Sequence, residues 1–133
     1  MEKSKVINGI TVYWDDDEIG DMKNIKNAVY KLVFDNLQVY YGSCRNLYKR
    51  IKSHCSHVNS YRSRNLYDVM SNRRKVKVCL IGTYDTIDEA QYVESYIING
   101  MAKKIYDRSR VPGSFREVVG GVMLNRNLYT TSY

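Results

Sequence analysis

Proline occurs once in this chain, at Pro112, and cysteine three times. The lone proline sits in DRSRVPGSF, which predicts a loop ahead of the C-terminal segment. Cys44, Cys55 and Cys79 are odd in number and lack CxxC spacing. That excludes a disulfide framework and a structural zinc site, and points to a reducing compartment. No apolar run approaches membrane-spanning length, and the N-terminal MEKSKVINGITVYW lacks the apolar core of a signal peptide. The expectation is a soluble, cytoplasmic protein of a cell or of an infected host cell, with no membrane partner. Repeats and low-complexity linkers are absent too. Acid is scarce where base is abundant: between Tyr41 and Leu80, ten lysines and arginines face the single carboxylate of Asp68.

What is present fits one compact domain. The 133 residues are enough for a modest core and too few for two, and 44% hydrophobic residues favour folding over disorder. The net charge of +7 and the sequence pI near 9.3 favour an anionic partner such as nucleic acid. The N-terminal part has the opposite bias, with Asp15, Asp16, Asp17, Glu18 and Asp21 close together. The basic middle predicts a phosphate-binding surface; the plainer alternative is a solvated charged face with no partner.

Periodicity places the elements. Val6 to Trp14 alternates in part around Asn8-Gly9, a tight-turn signal, and predicts a small hairpin or an irregular extension, followed by an exposed acidic loop. Residues 1–26 are thus an N-terminal extension, and 27–133 the domain proper. Ala28 to Phe34 reads as a strand, Asp35-Asn36 as a turn, and Leu37 to Tyr41 as the returning strand. A helix is predicted from Asn46 to Val58, with Leu47, Ile51, Cys55 and Val58 as its apolar stripe and Arg50, His54 and His57 beside that seam. A short helix spans Asn65 to Asn72, and Lys75 to Tyr84 alternates as a third strand. Thr86 to Glu89 matches a capping box that starts a helix running to about Met101. In that helix Glu94 falls on the apolar stripe with Ala90, Ile97, Ile98 and Met101. A carboxylate there is costly unless it is hydrogen-bonded, paired or bound to metal.

The stretch from Tyr30 to His54 carries the chemistry. Tyr30 and Tyr40 stand ten residues apart across a turn, Arg50 follows ten later, and His54 one helical turn after that. On paired strands the two phenols come near one another. Phenols can move protons, a guanidinium grips phosphate through two oxygens, and an acid holds a divalent metal. Each residue alone has a bland reading. With 13 tyrosines in the chain, most are packing or surface residues, and an isolated arginine is usually an ion-pair or phosphate contact. His54, Cys55 and His57 could suggest a metal cluster, but neighbours on a helix point apart. Cys44 or Cys55 as a nucleophile lacks any base–orienter pattern.

Taken in order, these residues resemble the GIY-YIG nuclease family. Ala28-Val29-Tyr30 stands for G-I-Y and Tyr40-Tyr41-Gly42 for Y-I-G. Leu47, Arg50 and His54 match the following helix, Ala90 and Glu94 the later one, and Leu124-Asn125 the closing L-N pair. The resemblance covers roughly residues 27 to 127. Departures are Ala28, Val29 and Tyr41 within the signatures, and Ser43 where some members carry lysine. The interval from Glu94 to Asn125 is longer than usual, which suggests an insertion near Pro112, and Asn99 or Asn127 could stand in for Asn125.

The resemblance implies an α/β (α+β) fold with a small central three-stranded antiparallel sheet flanked by helices. It implies a metal-dependent endonuclease acting on DNA, taken as duplex, in which Tyr30, Tyr40, Arg50, His54, Glu94 and Asn125 are catalytic. Glu94 would be the only protein ligand to Mg²⁺ or Mn²⁺, and Tyr30 the general base. Arg45, Lys49, Lys52, Arg62 and Arg64 would hold the flanking backbone. With no room for a separate targeting domain, sequence specificity is expected to be weak or to come from a homodimer, a partner protein, the extension or the insertion. Such a stand-alone module suits a phage or another mobile or viral element, of homing or restriction-like type. The alternative is a non-catalytic nucleic-acid-binding or interaction module on the same fold.

Overall fold

The structure, a computed structural model, describes residues 1–56 and 64–107. Strands β1 (Glu2–Ile7) and β2 (Ile10–Asp15) form the expected N-terminal hairpin. Asn8 and Gly9 both adopt positive φ, 50° and 78°, as a two-residue hairpin turn requires. The acidic run, expected as a loop, winds into a short helix, α1 (Asp16–Ile19). Asp15 caps it, and Asp16, Asp17 and Glu18 occupy the first turn, where the backbone N–H groups favour negative charge. A single 3-10 turn at Met22–Asn24, capped by Asp21, leads into β3 (Lys26–Val33).

β4 (Val39–Asn46) returns antiparallel to β3. It starts two residues later than the sequence suggests, because Leu37 takes a φ of 67° within the turn. Asn46 then ends the strand and caps α2 (Leu47–Ser56), accepting the Lys49 N–H at 3.0 Å. α3 (Arg64–Arg73) precedes β5 (Lys75–Thr83). The capping residue Thr86 accepts the Glu89 N–H at 3.2 Å and starts α4 (Ile87–Asp107), which runs past the expected end near Met101.

Among the described residues the sheet has five strands, in the order β1-β2-β5-β3-β4, not the expected three. The reason is that the N-terminal hairpin docks on the domain: β2 pairs parallel with β5 through Thr11–Lys75 and Tyr13–Lys77. Beyond that short ladder the outer edge of β5 is capped, its Leu80 N–H held by Glu18 Oε1 at 3.0 Å.

Residues that alternate along the strands divide between two faces. One face carries Ile10, Val12, Trp14, Tyr30, Leu32, Val76 and Val78, and is buried beneath Leu47, Ile51 and Cys55 of α2 and Leu66 and Met70 of α3. The Trp14 indole N–H is satisfied by the Gly20 carbonyl at 3.1 Å. On the other face, α4 packs against β3 and β4 through Ile98, Val39 and Tyr41. Tyr41, the unusual residue of the second signature, is thus a packing residue under α4 and points away from Tyr40.

Candidate active site

β4 is an edge strand, and the site is built around that edge. Tyr30 on β3 is paired with Gly42 on β4, and Tyr40 with Leu32, so both phenols lie on the main-core face, diagonal to one another. A β-bulge helps to aim Tyr30: Val29 pairs with Gly82 but Tyr30 pairs with Leu80, leaving Ile81 as the extra residue. The Tyr30 ring lies directly over Gly42. A Cβ at position 42 would stand within the phenol itself, so glycine is needed there for close approach and not for its φ.

His54 projects from α2 between the two phenols. Its Nε2 is 2.7 Å from the Tyr30 hydroxyl, and its ring meets Tyr40 edge-on at a centroid distance of 5.5 Å and an interplanar angle of 79°. Seven residues separate it from Leu47, so at about 100° per residue the two point almost the same way. His54 is therefore core-facing, 5% exposed, and not beside the seam as its stripe suggested. Burial, above all, pushes the Tyr30 phenol well above its usual pKa; Tyr40 adds to the rise and the Arg50 charge opposes it.

The second half of the site comes round the edge from α4. Ser43, next to Gly42 but on the opposite face of β4, donates its hydroxyl to Glu94 Oε1 at 2.9 Å. Burial raises the Glu94 pKa, while the Ser43 hydrogen bond and the Arg50 charge restrain the rise. Tyr30, Tyr40, Ser43, Arg50 and Glu94 open on one cleft of about 790 Å³, with Arg45 and Lys49 on its rim. Lys52 faces away from the cleft on the outer side of α2. Ser43 was not among the residues expected to take part. Its signal in the sequence is strand alternation, which turns a hydroxyl in a buried strand toward the helix that carries Glu94. Arg62 and Asn125 lie outside the described residues, as do His57, Pro112 and Asn127; the side chains of Arg64 and Asn99 do too.

Among the described residues no three His, Cys, Asp or Glu side chains gather as a metal-binding group. A single carboxylate suits a cation that keeps most of its waters, as Mg²⁺ does, and does not suit zinc. Glu94 Oε2 has no hydrogen-bond partner among the described residues and is left to accept such a ligand. The cysteines are free. Burial pushes the Cys44 and Cys55 thiols up to about 11, which removes the thiolate that nucleophilic attack would need.

A family model described as the GIY-YIG catalytic domain matches residues 26–107, well over half of the chain. The chain belongs to the GIY-YIG family. Its members are endonucleases that act on DNA, typically with a divalent metal. No curated protein and no solved structure matches the chain. The GIY-YIG match takes in both tyrosine signatures, α2, α3, β5 and α4, and stops short of the N-terminal hairpin. No described helix is long and apolar enough to cross a membrane.

Proposed function

We propose that this protein hydrolyses phosphodiester bonds in duplex DNA at the cleft, with Glu94 as the sole protein ligand to one Mg²⁺ or Mn²⁺ ion. The observation that carries the reading is the convergence of the Tyr30–His54 pair and the Ser43-held Glu94 carboxylate on one basic-rimmed cleft. The metal, when bound, supplies Lewis-acid stabilisation of charge on the phosphate and the leaving oxygen.

Tyr30 is the general base. Its raised pKa means that no standing phenolate exists at neutral pH, so its proton must leave as another arrives. The hydrogen bond to His54 Nε2 is the exit: the phenol oxygen takes a proton from water while its own passes to the imidazole. The water oxygen bonds to phosphorus, a phosphorus–oxygen ester bond breaks, and the leaving sugar oxygen is protonated by solvent. Tyr40 fixes the imidazole plane from the side. Arg50 clamps the scissile phosphate and opposes the rise in the Tyr30 pKa. Asn125 is assigned a supporting role next to these groups. Arg45 and Lys49 hold the flanking backbone without reading sequence, so specificity is weak unless self-association or a partner supplies it. Free cysteines support an intracellular setting.

The test is cleavage of supercoiled plasmid by the purified chain with Mg²⁺ or Mn²⁺, beside Glu94→Gln and Arg50→Ala. Metal-dependent nicking that both variants lose is the expected result. Wild-type protein that binds DNA without cutting it would mean a binding module on the same fold.

A further inference from the structure

Tyr48 is the second residue of α2, on the side away from the cleft, with its ring against the main core. Three lysines from three different elements surround it. Lys5 on β1 donates to the Tyr48 hydroxyl at 2.9 Å, and its ammonium lies 4.7 Å from the ring centroid. Lys23, in the 3-10 turn, places its ammonium 5.1 Å from the same centroid. Lys52 stands one helical turn along α2 and adds its charge.

Among the described residues no carboxylate pairs with these charges, whereas Lys3, two residues before Lys5, pairs with Asp16 at 3.1 Å. The nearby Asp21 turns its carboxylate to the Lys23 backbone N–H. The Lys5 hydrogen bond, with the charges of Lys5, Lys23 and Lys52, lowers the Tyr48 pKa. Three like charges held around one phenol repel each other, and an anion would relieve that cost. Because Tyr48 Oη accepts from Lys5, its own proton remains available to a further acceptor.

The position of this cluster says which anion. At about 100° per residue, the outer surface of α2 runs from Arg50 in the cleft through Lys49 and Lys52 to Tyr48. That surface is about 10–12 Å across, equal to the axial rise of roughly three base pairs of duplex DNA at about 3.4 Å each.

We propose that Lys5, Lys23, Lys52 and the Tyr48 hydroxyl form a second anchor that grips a backbone phosphate of the DNA a few nucleotides from the scissile bond. Lys5 and Lys23 lie outside the residues matched by the family, so the N-terminal hairpin becomes part of the substrate path. This rests on the reading of the protein as a DNA endonuclease.

The test measures binding of the full chain to a short fluorescent duplex, with chelator to prevent cutting, over a range of salt. For Lys5→Ala/Lys23→Ala the slope of log K against log salt should become shallower by about 1, with affinity lower by about tenfold. Cleavage at saturating DNA should be unchanged, and Lys5→Arg/Lys23→Arg should restore both slope and affinity. An alanine variant that keeps the wild-type slope and affinity, in a protein that still binds and cuts, overturns the anchor alone. Wild-type protein with no affinity for the duplex at any salt overturns both the anchor and the endonuclease reading.

Discussion

The two faces of the sheet contribute unequally to the site. The Tyr30–His54 pair belongs to a face where, among the described residues, seventeen buried side chains form one cluster reaching from the N-terminal hairpin to α3. Glu94 is carried by α4 on the opposite face, where the corresponding cluster has three, Val39, Tyr41 and Ile98. On the proposed reading, proton transfer, which needs fixed geometry, falls in the thick core, and the carboxylate assigned to the metal, whose water shell can vary, falls on the thin one. The difference teaches that the cleft has a rigid wall and a lighter one, which meet at the edge strand, where Gly42 serves the first and Ser43 the second.

Five substitutions can break or sharpen that contrast. The largest effect is expected for Glu94→Gln, which should lower cleavage by about 10³-fold or more while leaving DNA binding in place. Its stability should move the other way. Folded Glu94 holds its proton more tightly than the unfolded chain does, so its ionised form costs stability at neutral pH, and that cost fades as pH falls through the raised pKa. The amide removes the cost, so the unfolding midpoint at pH 7 should rise, and the gain should shrink in acid. A midpoint that falls by several degrees would mean that the carboxylate stabilises α4 instead.

Gly42→Ala should come next. The added methyl group meets Tyr30, which is 1% exposed and cannot swing aside, at an overpacking cost of about 1–3 kcal/mol. Displacement of the phenol by even part of an ångström should reduce turnover by about 10²-fold, with metal affinity unchanged. Wild-type turnover in this variant would show that the rigid wall is not rigid.

Ile98→Ala probes the thin core. We expect a loss of about 2 kcal/mol in urea denaturation, at the low end for such truncations because the site is at the margin of a small cluster. Metal affinity should weaken with it, whereas Ile51→Ala, in the larger cluster on the other face, should cost more stability and yet spare the metal. Equal effects of the two on metal affinity would erase the distinction.

The smallest effect belongs to Ser43→Ala. The Ser43 hydroxyl lowers the Glu94 pKa, so its loss raises that pKa further. The acid limb of the cleavage profile should move to higher pH, with a loss of tenfold or less near neutrality. A shift to lower pH would show that the hydrogen bond favours the protonated carboxyl.

Much of this arrangement was legible in the residues, and the rest was hidden for physical reasons. Asn8-Gly9 marked its turn and Thr86–Glu89 its helix start, because both signals are local and set by backbone geometry. The five-stranded sheet was not legible, since the β2–β5 pairing joins residues more than sixty positions apart and leaves no periodic trace. The acidic run could have been read as a capped helix, but its charge dominated its capping pattern. Tyr30, Tyr40, Arg50 and Glu94 were grouped as candidates by order and spacing, and all four line one cleft. The depth of His54 was missed because the helix stripe was drawn from apolar residues alone. Ser43 was missed because only long-range packing shows that Glu94 lies across from it.

The position of the cleft along β4 also bears on how copies of the chain can associate. An outer strand is a template for pairing with another chain, and among the described residues the sheet has two, β1 and β4. On β4, residues 40 and 42–46 line the cleft, so a neighbour's strand added there would obstruct it. A dimer that keeps both of its centres open therefore has to be joined through β1 or through helix surfaces, and DNA bound along β4 would shield that border from unwanted sheet growth.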